Sequence, residues 1–157
     1  MTQRDPLTLL LRALPPGVSP IAGGTTHLQS FQDAVTLGQS LKATGLRTTS
    51  ANGSGVKLSA GGPGKAFAII DCATYNDGTH TVTFEESNND NTADEHAAAD
   101  AYAAVSGGPS TAVTAVGVQA VDVYHRKPYV RGVSTVTGSP NTGAILAIVL
   151  GTAKRLA

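Results

Sequence analysis

A chain of 157 residues has room for one domain with a real core. Its eleven basic and eleven acidic residues cancel, so the basic footprint that nucleic-acid binders carry is missing. Charged residues are 14% of the chain and aromatics 4%, with no Trp. The apolar content is therefore mostly Ala and Val, which suits thin, close-packed sheets better than helices.

The single cysteine, Cys72, excludes a disulfide within the chain, and its apolar setting reads as a buried small hydrophobe. The longest apolar run, 144–150, is far below the roughly 20 residues that cross a bilayer. The patch at 7–11 lacks the basic region and length of a secretory leader, so the expectation is a soluble protein made in the cytoplasm.

Residues 1–30 read as an arm, extended or briefly helical. Asp5 and Pro6 suit a helix start through Leu7, Leu10, Leu11 and Leu14, and Pro15-Pro16-Gly17 stops it. So short a helix is marginal in water by itself. Its leucines are candidates for contact with the arm's own domain or with a neighbouring subunit.

Residues 31–157 read as an all-β single domain, a β-sandwich or barrel of about seven or eight strands. Strands are expected near 33–37, 55–58, 65–73, 80–87, 118–124, 128–136 and 143–151. Asn52-Gly53, Gly62-Pro63, Asp77-Gly78 and Gly108-Pro109 supply the backbone angles of the turns between them. In 80–85 the residues Val82 and Phe84 share one face, with Thr81, Thr83 and Glu85 on the other. In 129–136, Tyr129, Arg131, Val133 and Thr135 likewise oppose Val130, Gly132, Ser134 and Val136. The runs 67–70 and 145–150 are apolar on both faces, which marks central strands or strands covered by another subunit. Between the fourth and fifth strands, Thr92-Ala93-Asp94-Glu95 and the Ala-rich stretch after it predict a helix of about ten residues. A loop feeding a short strand at 102–105 is the rival. The strand at 129–136, the polar turn at 137–143 and the strand at 144–150 read together as a β-hairpin.

Signals for chemistry are weak. The Gly-rich stretch at 59–66 has Ser59 where a phosphate loop needs its first Gly, and Ala66 where it needs a hydroxyl. The acidic run at 85–91 lacks the glycine and the spaced Glu of a calcium loop. His27, His80, His96 and His125 show no metal-ligand spacing, and His80 and His125 read as surface or satisfied polar groups. No strained Ser elbow is present. Glu85, Glu86, Asp71 and Asp122 could meet in space as paired carboxylates, but no spacing brings them together. The expectation is a protein without catalysis, metal or cofactor.

One pattern points further. Val82-Thr83-Phe84-Glu85-Glu86-Ser87-Asn88-Asn89-Asp90 is a strand ending in an acidic turn. A polar excursion follows, then Tyr129-Val130-Arg131, Gly138-Ser139-Pro140, and an apolar strand closed by Lys154-Arg155. This arrangement, over about two thirds of the chain, resembles small structural proteins from the head-gene region of tailed phages and prophages. Tyr102 stands for the aromatic of the excursion, and the first thirty residues fall outside the pattern. The resemblance implies a jelly-roll-like sandwich that decorates or cements the capsid exterior. Its partner would be the major capsid protein, and it would act as a homo-oligomer, a dimer or trimer, with no nucleic acid and no membrane. Arg126, Lys127, Tyr129 and Arg131 then become candidate lattice anchors, and the final strand a candidate for edge-to-edge pairing. Two alternatives stay open: another virion component (a head–tail connector, tail subunit or fibre base), or a ligand-binding β-sandwich module. The latter normally displays more aromatics than four Tyr and three Phe.

Overall fold

The computed structural model describes residues 35–58, 63–90 and 101–153. The arm with Leu7, Leu10, Leu11 and Leu14 lies outside the described residues, as does most of the expected helix. Ten strands occur among them: β1 (Val35–Leu41), β2 (Ala51–Asn52), β3 (Val56–Lys57), β4 (Gly64–Tyr75), β5 (Thr79–Ser87), β6 (Ala103–Ala104), β7 (Thr111–Val113), β8 (Gly117–His125), β9 (Tyr129–Thr137) and β10 (Ala144–Ala153).

All pairing among the described residues is antiparallel and forms two sheets. The first runs β1-β10-β4-β8; the second has β9 and β5 at its centre, flanked by β2 and β3 on one side and β6 and β7 on the other. Counting each flanking pair as one strand position, the chain reads as a long hairpin rolled on itself. Its arms pair β5 with β6 and β7, β4 with β8, β3 and β2 with β9, and β1 with β10. Contacts β10·β4 and β9·β5 then close the two sheets. This winding is the jelly roll, with two Greek keys facing each other.

Side-chain alternation places the core between the sheets. Leu146, Ile148 and Leu150 of β10 are fully buried with Ile70 of β4, and they face Val82, Phe84 and Val130 of the second sheet. Each such side chain contributes about 1.5–3 kcal/mol by leaving water. The opposite face of the same central strands is also shielded, with Ile69, Ala147 and Val149 only 5%, 6% and 7% exposed. Their two-sided apolar sequence thus fits the middle of a sheet.

Three expectations need correction. The last two strands do not form a hairpin: β9 pairs with β5, β2 and β3, whereas β10 lies in the other sheet between β1 and β4. The link between them crosses from sheet to sheet. It is held by the Asp77 carboxylate, which accepts the backbone N–H groups of Asn141, Thr142 and Gly143. Because both edges of β10 are occupied, the final strand cannot pair with a second copy. Finally, of the two readings for His80 and His125 the surface one falls, for they are 0% and 2% exposed, while each bonds a backbone carbonyl as a satisfied polar group does. His80 sits on the inward face of β5 with its Nε2 on the Asp77 carbonyl at 3.1 Å and its ring edge-on to Tyr75. His125 holds the Lys127 carbonyl through Nδ1 at 2.9 Å. At the start of the ambiguous segment's described part, Ala103–Ala104 is a short strand, as the rival reading expected.

Candidate interaction surface

Alternation along β9 and β5 turns Tyr129, Arg131, Val133 and Thr135, with Thr81, Thr83 and Glu85, to the outer face of the second sheet. The register sets Glu85 opposite Arg131. The guanidinium reaches the same carboxylate oxygen through Nη2 at 2.6 Å and Nε at 2.8 Å. The face of the Tyr102 ring lies over that guanidinium, 4.2 Å from its carbon. One register position further, Lys57 of β3 stands opposite Tyr129, with its ammonium 5.8 Å from the ring centre. Lys57, Tyr129, Arg131, Glu85 and Tyr102 thus form one ladder of alternating charge and aromatic surface.

Backbone geometry makes room for it. A Cβ at Gly55 would fall 1.9 Å from the Tyr102 hydroxyl, so only glycine lets the ring lie flat there. Burial pushes the Tyr102 phenol above its ordinary value, countered in part by the Arg131 charge. The ion pair is about one-quarter exposed and so adds little to folding, on the order of 1 kcal/mol or less. Its chief effect is to hold Arg131 and Tyr102 in a fixed, stacked arrangement.

Arg126 and Lys127 form the β8–β9 turn at the end of this face. Their N–H groups donate to Glu86 Oε2 at 2.6 and 3.2 Å. Arg126 is exposed and Lys127 half-buried. All four candidate residues from the second half of the chain are therefore clustered. Tyr129 lies on the outer face and not in the core, and Arg131 makes the ion pair that its surface position allows. Lys57 and Glu85 join them through strand register, which local sequence does not reveal. The suggested carboxylate cluster does not form. Glu85 and Glu86 point to opposite faces of β5, and Asp122 pairs with Lys65 at 2.9 Å on the other sheet.

Cys72 is 1% exposed, its thiol raised by burial and its Sγ 3.3 Å from the Thr74 carbonyl. Among the described residues, no group of three or more His, Cys, Asp or Glu is placed to hold a metal ion. Among them too, no helix is long and apolar enough to cross a membrane. Comparison of the chain with protein-family models, with curated proteins and with solved structures found no match.

Proposed function

We propose that this protein is a structural component of a tailed-phage virion that binds the outside of the capsid shell and stabilises it. The observation that carries the reading is the ladder of Lys57, Tyr129, Arg131, Glu85 and Tyr102 on the outer face of the second sheet. Tyr and Arg are the side chains that anchor protein interfaces, and here both are held in place before any partner arrives. Around them the face is lined by Thr81, Thr83, Val133 and Thr135, small side chains that cost little to desolvate. Lys57, Arg126 and Lys127 give one end a positive rim that suits an acidic rim on the shell. The resemblance of the strand and turn pattern to head-region phage proteins supplies the partner, the major capsid protein. Repetition of that subunit over the lattice turns a modest single contact into stable occupancy.

Co-sedimentation with shells assembled without the protein tests this reading. Saturable binding at a fixed ratio to the capsid subunit, with a raised shell disruption temperature, is expected, since a ligand of the assembled state alone must stabilise that state. Arg131→Ala and Tyr129→Ala should each weaken binding. Absence of binding to shells would overturn the proposal and favour a head–tail connector, tail subunit or fibre base.

A further inference from the structure

We propose that two copies of this chain associate through β8, edge to edge and antiparallel, about a two-fold axis at Ala120. The inference stands independently of any role on a capsid. β8 ends the first sheet and is bonded on one side to β4 along its nine residues. Among the described residues no strand pairs with its other side, where alternate N–H and C=O groups face away from the sheet. The second sheet blunts its edges with strands of two or three residues, and β1 breaks its register with a bulge between Gln39 and Leu41. β8 carries none of these protections: no proline, no lysine and no register shift. A long, regular, uncovered edge is the usual template for adding another strand.

Side chains choose the occupant and the register. Among the described residues only four large hydrophobic side chains are exposed, and two of them, Val116 at 63% and Tyr124 at 62%, bracket this edge. Antiparallel pairing centred on Ala120 would bring Val116, in the bend one residue before β8, toward Tyr124 of the other copy, so that the contact covers both. It places Val118 opposite Asp122. The two Asp122 carboxylates then stand four residues apart along the strand, about 13 Å. Each is already neutralised by its own Lys65 at 2.9 Å. Pairing centred one residue later, on Val121, would bring the two aspartates to within about 7 Å along the strand and leave Val116 beyond the end of the partner strand. Ala120 itself is exposed and small, which allows close approach at the axis. The surface is thus self-complementary, as a closed two-fold contact requires. It would join the first sheets of both copies into one continuous sheet, leaving the Tyr129–Arg131 faces uncovered.

Sedimentation equilibrium from micromolar to millimolar protein should show a reversible monomer–dimer exchange. Changing both Val116 and Tyr124 to Lys should weaken it by at least about tenfold without changing the circular dichroism or melting temperature, because both side chains are exposed in the monomer. In a Cys72→Ala background, mild oxidation of Ala120→Cys should yield a covalent dimer, since two-fold pairing sets that residue against itself. Gln39→Cys, on the opposite edge of the same sheet, should stay monomeric. A protein that is monomeric throughout the range would overturn the inference. So would a dimer that resists the double lysine change or that Ala120→Cys does not trap.

Discussion

Replacing Ser40 by Ala removes one oxygen that stitches the two sheets together. Ser40 lies on β1 of the first sheet and is 3% exposed. Its Oγ accepts the N–H of Gly132 in β9 of the second sheet at 2.9 Å and donates to the Ser54 carbonyl at 2.8 Å. It does so where the ladder beside β9 is interrupted between β2 and β3, so the hydroxyl stands in for a missing strand residue. In Ser40→Ala the buried Gly132 N–H has no remaining partner, which costs roughly 1–3 kcal/mol. The Ser54 carbonyl belongs to an exposed residue and recovers most of its bond from water. Ser50 provides the control. Its Oγ accepts the Val136 N–H at the same 2.9 Å, but in an exposed setting. Ser50→Ala should cost under about 0.5 kcal/mol. Urea unfolding followed by circular dichroism reads both variants against the native protein. Equal losses for the two, or a loss below about 0.5 kcal/mol for Ser40→Ala, would refute the assignment of burial as the deciding factor.

Three further outcomes are expected. Hydrogen bonds from the Gly143 N–H first, and then from Asn141 and Thr142, hold the Asp77 carboxyl below its ordinary value. Its stabilisation is therefore complete above the unfolded value of about 3.9 and is lost as pH falls through the lower folded value. Melting curves of the native protein and Asp77→Asn should converge below about pH 4; a gap that widens on acidification would contradict this. Gly132→Ala puts a Cβ 2.7 Å from Ile148 Cδ1 and 2.9 Å from its Cγ2. Overpacking there should cost roughly 1–3 kcal/mol, and Ile148→Val, which deletes Cδ1, should cost less in that background than in the native one. Cys72, buried and with a raised thiol, should react with an aromatic disulfide reagent only at the rate of opening. Native-state reactivity equal to that of a free thiol would place it on the surface.

The fold was legible where sequence carries periodicity. Val82 and Phe84 against Thr83 and Glu85, or Val130 against Arg131, alternate as two-faced strands must, and the structure orients them so. The two-sided apolar run in β10 likewise marked a central strand, and that property is also why the hairpin reading failed. A central strand needs two neighbours in its own sheet, and β10 finds them in β1 and β4 while β9 goes to the other layer. Turn composition reports that the chain reverses and is silent about whether it changes sheet. β2 was hidden because Asn52-Gly53 carries a turn signal, yet Gly53 runs alongside β9 and donates its N–H to Gly132. β7, at three residues, is too short for any period to show. At the candidate surface, Tyr129 and Arg131 were visible from their spacing. Their setting was not: Glu85 and Tyr102 come from positions 46 and 29 residues earlier, and only strand register brings them together.

Electron cryomicroscopy of shells incubated with the protein would show whether it binds the capsid exterior and through which face. Jelly-roll density is expected at fixed lattice positions on the shell exterior, with the Tyr129–Arg131 face turned toward the capsid subunits. Shells left bare under saturating protein, or decorated through a different face, would contradict it.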